Sequence, residues 1–275
     1  MLSKIKNIIP KIDLLLYKKF GSHKSIKVLE NIKEAKLIFS FLNEAGEDTK
    51  TRFVGGCIRK AFAGEKIDDI DLATSLEPEE VNYRLRSNGV KTIDTGITHG
   101  TVTAILNKKK FEITTLRKDV STDGRHANVE YTTNWEQDAL RRDFTINAVY
   151  ADMEGRIFDP LNGVYDLKNG KVKFIGSTEN RIQEDYLRIL RYFRFFTEYS
   201  KEDHHQDTLL SIKKNINGLN KISNERIFAE LKKILSLKNT YNLFKNNQSK
   251  EIFLSIFPEI KYYKRLNRIG SLEEK

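Results

Sequence analysis

The sequence of 275 residues predicts an α/β first part, built on a small mixed sheet flanked by helices, and an all-α second part. In the first part, a strand-like segment ends at Gly55-Gly56 and a short helical segment follows it. Two alternating segments, Thr101–Leu106 and Phe111–Leu116, predict a β-hairpin in the same part. Beyond about Thr178 the apolar residues recur at helical spacing towards the end of the chain.

The remaining elements of the first part follow from spacing and residue type. Apolar residues three and four apart favour a helix, whereas alternation and β-branched residues favour a strand. The sequence accordingly predicts a helix over Ile26–Ala45 behind the sheet, strands over Arg52–Val54 and Ile67–Leu72, a helix over 57–64, a hairpin turn over Asn107–Lys110, a loop over 117–137, a short strand over Arg156–Asp159 and a turn over Asp166–Lys171. The loop is predicted because that stretch is polar and shows no clear period.

The composition limits the class of protein. The chain carries 48 Lys and Arg against 38 Asp and Glu, a formal net charge of +10. A basic excess favours a polyanionic partner, although it is equally consistent with lysine-rich helix surfaces that face water. Cys57 is the only cysteine, which excludes an intrachain disulfide and cysteine-ligated zinc and suits a reducing, cytoplasmic compartment. No apolar run reaches the length of a membrane span, so no membrane partner is predicted.

The opening segment Met1–Phe20 is basic and amphipathic. A transit peptide is one interpretation of such a segment. However, transit peptides are rich in arginine and poor in acidic residues, whereas this segment has no arginine and includes Asp13. A surface helix is therefore predicted there.

The most informative stretch joins a double glycine to a pair of aspartates. Gly55 and Gly56 permit a tight turn and a close approach of the backbone to a ligand. Backbone N–H groups at this turn suit a phosphate, and Arg59 adds a positive charge. Along the predicted second strand, Asp69 and Asp71 alternate onto one face. Two such carboxylates repel each other unless a cation lies between them, and oxygen ligands favour Mg²⁺.

Each half of this stretch also has a simpler explanation. A double glycine is often only a turn, and Asp-x-Asp pairs are common on solvated strands. The order of strand, double glycine, helix with arginine and Asp-x-Asp strand is far more restrictive than either half. The combination therefore favours a site for a metal ion and a phosphate ligand.

This order of motifs resembles the nucleotidyltransferases of the polymerase-beta type. It is most similar to the class II tRNA CCA-adding enzymes, which share it with bacterial poly(A) polymerases. Further motifs of that family follow in the expected order, and they are Thr98–Thr103, Phe111–Arg117, Asp123–His126, Asp138–Asn147, Phe158–Leu161, Arg181–Arg191 and Ser223–Ile227. The resemblance implies a polymerase-beta-like α/β head, followed by an all-α neck and a partial body.

The resemblance implies attack of an RNA 3′-hydroxyl on the α-phosphorus of a nucleoside triphosphate. Asp69 and Asp71 would be catalytic and would hold Mg²⁺, with Glu112 as a third catalytic carboxylate unless it is only an exposed strand glutamate. The nucleotide-binding residues that the family implies are Gly55, Gly56, Arg59, Arg142, Asp143, Asn147, Asp185, Arg188 and Arg191. Lys60 stands where the family usually has aspartate, so the role of that position is open.

Two groups of these residues carry further expectations. Arg142 and Asp143 are predicted to begin a helix that brings Asp143 and Asn147 onto one face, where the family contacts the ribose and phosphates. Asp185 and Arg188 are predicted to project from one side of a helix. Asp only accepts and Arg only donates, so the pair fits the pairing edges of cytosine and adenine and rejects guanine and uracil. The alternatives are a solvated charge cluster and an intrahelical salt bridge.

The resemblance also implies a division of the chain into four parts. They are an extension over 1–25, a nucleotidyltransferase head over 26–172, a helical neck with base recognition over 173–235 and the start of a truncated body over 236–275. Members of the family usually continue into helices that hold the tRNA. A second chain that supplies this missing grip is therefore a possible partner, and the mechanism requires the Asp69–Asp71 and Asp185–Arg188 pairs to face one cleft.

The implied function is template-independent addition of CMP, CMP and AMP, from CTP and ATP, to the 3′ end of tRNA. The alternatives are a poly(A) polymerase, an enzyme that adds only part of CCA, and a non-catalytic tRNA-binding half of a split enzyme. Asp123-Gly-Arg125 and the full-length segment up to Gln137 favour complete addition, because enzymes that add only CC tend to lack this loop. His99 is expected to be structural or near the substrate, and His126 to be a loop residue.

Overall fold

A computed structural model describes residues 23–43, 50–96, 100–122 and 127–262 of the chain. The chain divides into two compact units. The first comprises residues up to Ser121 together with Asn128–Lys168, and the second comprises 122–127 together with residues from Asn169 onward. Within the described ranges, none of the helices is long and apolar enough to cross a membrane.

The elements up to residue 168 alternate between helices and strands. The helices are α1 (His23–Glu30), α2 (Lys33–Leu42), α3 (Gly56–Ala63), α4 (Pro78–Ser87), α5 (Trp135–Leu140) and α6 (Gly163–Lys168), with a 3₁₀ turn over Thr145–Asn147. The strands are β1 (Thr51–Val54), β2 (Ile70–Thr74), β3 (Lys91–Gly96), β4 (Thr101–Leu106), β5 (Lys109–Thr115), β6 (Arg117–Thr122), β7 (Ala127–Tyr131), β8 (Tyr150–Ala151) and β9 (Ile157–Phe158).

The main sheet is mixed, as predicted. Among the described residues it has seven strands in the order β3-β4-β5-β2-β1-β8-β9. Strands β2 and β5 are parallel, and every other neighbouring pair in this order is antiparallel. The predicted hairpin is confirmed as β4 and β5, with Asn107 and Lys108 at positive φ in its turn. The order matters because it makes β2 and β5, which carry Asp71 and Glu112, immediate neighbours.

One face of the sheet packs against the first two helices and forms the core. The fully buried Phe53, Leu72 and Phe111 share this core with Leu29 of α1 and Ile38 of α2. The prediction that this helical region packs behind the sheet is therefore confirmed. The single helix predicted over this region is wrong, because extended backbone at Ile32 separates α1 from α2.

The loop predicted over residues 117–137 is wrong. Strands β6 and β7 form a separate two-stranded sheet, and α5 follows them. Backbone pairing and cross-strand contacts, such as the 3.0 Å ion pair between Lys118 and Glu130, join the two strands. The side chain of Asn134 then caps α5 by accepting from the N–H groups of Glu136 and Gln137. A search for apolar periodicity misses both elements.

The turn predicted over Asp166–Lys171 is wrong in its first half, because α6 continues to Lys168, and a turn follows at 169–170. The carboxylate of Asp159 accepts hydrogen bonds from the N–H groups of Gly163, at 2.7 Å, and Val164, at 2.9 Å. These bonds satisfy two donors at the start of the helix. The capping aspartate lies four residues before the helix, so the signal was present in the sequence.

The second unit is helical, as predicted. Its helices are α7 (Thr178–Glu184), α8 (Arg188–Tyr199), α9 (Gln206–Asn215), α10 (Asn224–Leu235), α11 (Tyr241–Lys245) and α12 (Asn247–Ile256), with 3₁₀ turns over Ile216–Lys221 and Pro258–Tyr262. Its core contains Leu190 and Phe193 of α8, both fully buried, as their helical spacing predicts. Phe193 packs edge-on against Phe253 of α12.

Gly163 fixes the packing between α6 and the 3₁₀ turn that carries Asn147. A Cβ at this position would lie 2.1 Å from the carbonyl oxygen of Thr145 and 2.7 Å from Cγ2 of Val149. We predict that Gly163→Ala lowers the free energy of unfolding by about 3 kcal/mol, because the backbone carbonyl cannot move aside easily. Urea denaturation of the purified protein measures this change.

Gly89→Ala is the matched control. Gly89 has φ +74°, and a Cβ added there would meet no heavy atom within 4 Å, so only backbone strain of about 1 kcal/mol is expected. Equal unfolding free energies for the two variants would contradict the proposed close packing at Gly163.

Candidate active site

The double glycine forms the turn between β1 and α3, as predicted. Gly55 has φ +66°, a conformation that side chains with a Cβ rarely adopt. Gly56 opens α3, and a Cβ there would lie 3.3 Å from Oδ2 of Asp71. The turn therefore brings backbone close to a carboxylate. Cys57 is packed behind it, where burial raises the thiol pKa to about 12, so this thiol is unsuited to nucleophilic chemistry.

Asp71 lies at the centre of the charged groups on the sheet. It pairs in register with Glu112 on the parallel strand β5, so both side chains project from the same face. Burial raises the pKa of Asp71, and the negative charges of Glu112 and Asp69 raise it further. The positive charges of Arg142 and Arg59 oppose that rise. Four charged groups thus lie within electrostatic reach of Asp71.

Asp69 lies outside the strand that was predicted to carry it. Strand β2 begins at Ile70, so the strand predicted over Ile67–Leu72 is wrong at its start and Asp69 lies before it. Alternation along a strand is therefore not what brings Asp69 near Asp71. Asp69 is exposed, and its charge acts on the Asp71 carboxylate from the solvent side.

Glu112 is exposed and pairs with Lys110. This hydrogen bond and the charge of Glu112 raise the pKa of Lys110, and the charges of Asp69 and Asp71 add to the effect. Lys110 therefore supplies positive charge beside the three carboxylates. This role was not predicted, because Lys110 was expected in the hairpin turn, whereas β5 begins at Lys109. The signal was its position two residues before Glu112, on the same face of the strand.

The carboxylates fit a magnesium ion that is shared with a phosphate ligand. Within the described ranges, no group of three or more His, Cys, Asp or Glu side chains is arranged to hold a metal ion by itself. Mg²⁺ is usually held by one or two carboxylates together with substrate phosphates and water. The raised pKa of Asp71 supports this fit, because burial and the nearby negative charges of Glu112 and Asp69 outweigh the opposing charges of Arg142 and Arg59.

Arg59, Asn147 and Asp143 form a buried hydrogen-bonded chain. Nη1 of Arg59 donates to Oδ1 of Asn147, and Nδ2 of Asn147 donates to Oδ1 of Asp143 at 2.7 Å. The predicted proximity of Asp143 and Asn147 is therefore confirmed. The helix predicted to start at Arg142 is wrong, because α5 ends at Leu140 and Asn147 lies in the following 3₁₀ turn.

Arg142 is held by Asp138 and Tyr150. Oδ2 of Asp138 accepts from Nη2 of Arg142 at 2.9 Å and from the Tyr150 hydroxyl at 2.7 Å, while Oδ1 accepts from Arg141 at 2.7 Å. Burial alone would raise the pKa of Asp138, but the two arginines and Tyr150 hold it well below its usual value. Nη1 of Arg142 lies beside the turn, 3.9 Å from the position that a Cβ added at Gly55 would occupy. No role for Asp138 itself was predicted from the sequence.

In the second unit, Asp185 and Arg188 do not lie on one helix, so that prediction is wrong. Helix α7 ends at Glu184, Asp185 has extended backbone, and α8 begins at Arg188. Oδ2 of Asp185 accepts from Arg226 at 2.8 Å. Nη1 of Arg188 donates to Glu184 at 2.6 Å and to the carbonyl oxygen of Arg181 at 2.9 Å. The two side chains therefore have separate partners.

Several predicted residues take no part in these networks or lie outside the described residues. Lys60, whose role the sequence leaves open, forms an ion pair with Asp68 at 3.8 Å. Arg191 lies on α8 with its guanidinium 5.2 Å from the ring centroid of Phe195. The expectations that lie outside the described residues concern Met1–Phe20, His99, Asp123-Gly-Arg125 and His126.

The chain matches two family models and several known proteins. Residues 51–173 match the family described as the poly A polymerase head domain, and residues 205–264 match the one described as a probable RNA and SrmB-binding site of polymerase A. The chain is 51% identical over 192 residues to CCA tRNA nucleotidyltransferase 1, mitochondrial, of Homo sapiens, covering 69% of this chain and 44% of that protein. It is 38% identical over 220 residues to the CCA-adding enzyme of Streptococcus uberis, covering 78% of this chain and 52% of that protein.

A solved structure is similar as well. The crystal structure of the Bacillus stearothermophilus CCA-adding enzyme in complex with CTP aligns with a TM-score of 0.67 at 34% identity, covering 78% of this chain and 52% of that chain. The chain spans about half the length of the curated relatives that it matches. Together, the head fold, the carboxylate site and these matches show that the chain belongs to the tRNA nucleotidyltransferase and poly(A) polymerase family.

Proposed function

We propose that this chain adds CMP, CMP and AMP, from CTP and ATP, to the 3′ end of tRNA without a nucleic-acid template. The observation that carries the proposal is the Asp71 carboxylate beside Glu112 and Asp69, opposed by Arg59 and Arg142. Such an arrangement can hold a cation and a polyphosphate at the same place. The names of the relatives, which specify CCA addition, support the choice of reaction.

The roles of the head residues follow from their positions. Asp69 and Asp71 would hold Mg²⁺, with Glu112 as the third carboxylate. A divalent ion bound there would supply charge neutralisation at the triphosphate and the attacking 3′-hydroxyl. The turn at Gly55 and Gly56 offers backbone N–H groups to the phosphates without a side chain in the way.

The basic and amide groups would orient the nucleotide. Arg142, held by Asp138 and Tyr150, keeps its guanidinium beside the Gly55 turn, where a phosphate would neutralise it. Arg59 donates to Asn147, and Asn147 to Asp143, so a ribose or phosphate contact by one member would be fixed by the others. Preorganised groups of this kind are effective in phosphoryl transfer, which depends mainly on positioning and charge.

Base selection is assigned to Asp185 and Arg188, with Arg191 as a further nucleotide contact. Asp185 accepts from Arg226 and Arg188 donates to Glu184, and a bound base would take over these hydrogen bonds. Cytosine and adenine offer an amino donor beside a ring-nitrogen acceptor, which suits this acceptor and donor pair. Leaving either side chain unpaired against guanine or uracil would cost about 1–3 kcal/mol.

Three expectations belong to this proposal. The first is dependence on Mg²⁺. The second is a cytoplasmic location, which the mitochondrial names of some relatives leave open. The third is the division into an extension (1–25), a catalytic head (26–172), a neck (173–235) and a partial body (236–275), with a second chain as a possible source of further tRNA contacts.

Two other functions of the family have specific support. The match of residues 51–173 is described as a poly A polymerase head domain, which favours poly(A) synthesis. The match of residues 205–264, described as a probable RNA and SrmB-binding site of polymerase A, supports an RNA-binding role, which could be non-catalytic within a larger assembly. Both are distinguished from CCA addition by the products formed from a tRNA that lacks its 3′ end.

We predict that Asp71→Asn lowers the rate of nucleotide incorporation by at least about 1000-fold, because the variant loses the charge that holds the cation. The assay uses purified protein, tRNA without its CCA end, and labelled CTP with ATP. Asp68→Asn is the matched control, since Asp68 is exposed and pairs with Lys66 at 3.2 Å. Retention of full activity by Asp71→Asn would contradict the proposed site.

We also predict that the wild-type chain stops after three additions when CTP and ATP are present together. With ATP alone, a tRNA that lacks the CCA end should not be extended into a long tail. Gel analysis of product length reads this outcome. Long tails from ATP alone would favour the poly(A) polymerase, and tRNA binding without incorporation would favour the non-catalytic role.

We predict that Asp138→Asn lowers the free energy of unfolding at pH 7 by about 3 kcal/mol, because two arginines lose a buried partner. The folded-state pKa of Asp138 is depressed, so its contribution is present above the usual aspartate pKa and is lost as the pH falls through the folded-state value. The difference in the free energy of unfolding between the variant and the wild type should therefore become smaller below about pH 4. Urea denaturation across pH measures it, and a difference that does not change with pH would contradict this account.

A further inference from the structure

An open cleft of about 660 Å³ lies in the first unit, and no residue assigned above to catalysis lines it. Its walls come from the start of β1, the start of α5, the connection between β8 and β9, and β9 itself. The lining side chains that define its chemistry are Lys50, Arg52, Trp135, Asp152, Arg156 and Phe158. A cleft of this size is large enough for a nucleotide-sized ligand.

Arg52 is the central side chain of this cleft. Its guanidinium carbon lies 4.2 Å from the ring centroid of Trp135 and 4.9 Å from that of Phe158. The Nη1 atom is buried and has no hydrogen-bond partner in the described part of the chain. Aromatic faces stabilise a guanidinium charge, but they do not replace an oxygen acceptor for its N–H groups. Nη1 of Arg52 therefore lacks an acceptor.

Asp152 lines the same cleft and its charge acts on Arg52, but its oxygens already accept other hydrogen bonds. Oδ1 accepts from the backbone N–H groups of Glu154, at 3.1 Å, and Arg156, at 2.8 Å. Oδ2 accepts from Nε of Arg156 at 2.5 Å. Asp152 thus stabilises the turn between β8 and β9 and leaves Arg52 without a direct ion pair.

The charge of the cleft is therefore positive. Lys50, Arg52 and Arg156 contribute three cations, whereas Asp152 is the only acidic residue among the lining residues. Burial lowers the pKa of Arg52, the charge of Asp152 opposes this effect, and the charge of Arg156 adds to it. Positive charge next to aromatic rings is the combination that binds the phosphates and bases of single-stranded nucleic acid.

We propose that this cleft is an accessory binding site for a phosphate group carried by a nucleotide or an RNA strand. Arg52 and Arg156 bind the phosphate oxygens, and the rings of Trp135 and Phe158 contact the attached base. Binding here uses none of the carboxylates around Asp71, so this site does not depend on the proposed catalytic function.

Trp135 makes the proposal directly testable, because it is the only tryptophan in the chain. Its fluorescence is recorded while the full-length protein is titrated with inorganic phosphate, with adenosine monophosphate or with a short oligoadenylate RNA. A saturable change is expected with at least one of the three. A preference for the mononucleotide over phosphate identifies a nucleotide, and a clear preference for the oligonucleotide identifies an RNA strand. Equal affinity for all three probes would contradict the proposed base contact.

Variants assign the signal to the cleft. Arg156→Gln removes one charge from a side chain that is 63% exposed, so it should fold normally. Binding should weaken about tenfold in this variant and in Arg52→Met. Lys91→Ala is the matched control, because it removes an exposed charge from β3, at the opposite edge of the sheet from β9, and it should bind as wild type does. No saturable change with any probe, or equal affinity in both cleft variants and the wild type, overturns the proposal.

Discussion

The repulsion between carboxylates on adjacent parallel strands is the constraint on which the rest of the site depends. The register of β2 and β5 places Asp71 beside Glu112, and burial prevents water from screening Asp71 fully. Stability alone does not require this arrangement, because an apolar or amide side chain would avoid the repulsion. Electrostatic repulsion of this kind, which lowers stability, is typical of a functional site, where a ligand supplies the missing opposite charge.

The arginines of the site, Arg59 and Arg142, are fixed by hydrogen bonds to other side chains. Arg142 is fixed by Asp138, which is itself fully buried and bonded to Tyr150. Arg59 is joined through Asn147 to the 3₁₀ turn that packs on α6. The two arginines are therefore held rigidly around carboxylates whose negative charge is not fully compensated. The metal cation and the phosphate of a substrate are the groups that would complete the site.

The parts of the fold that local sequence determines were predictable. The Gly55 turn requires positive φ, and the hairpin of β4 and β5 shows alternation, so neither depends on distant residues. The second hairpin, β6 and β7, was not predictable from apolar periodicity, because it is a separate two-stranded sheet with polar residues in both strands.

The site itself was predictable in residue type but less so in its contacts. The resemblance to the family implied Asp71, Glu112 and Arg59, and the pairing of β2 with β5 places Asp71 beside Glu112. By contrast, Asp185 pairs with Arg226, which is 41 residues away, and a tertiary contact of this kind leaves no periodic signal in the sequence. The same is true of Arg52, whose unusual position between two rings emerges only when β1, α5 and β9 are assembled.

The central claim is that the carboxylates around Asp71 bind a divalent cation together with a triphosphate. Thermal unfolding with CTP and MgCl₂, compared with CTP and NaCl at equal ionic strength, tests it most directly. The account predicts a rise in the melting temperature with MgCl₂ for the wild type that is lost in Asp71→Asn. Equal melting temperatures in both salts, or an equal rise in the variant, would contradict it.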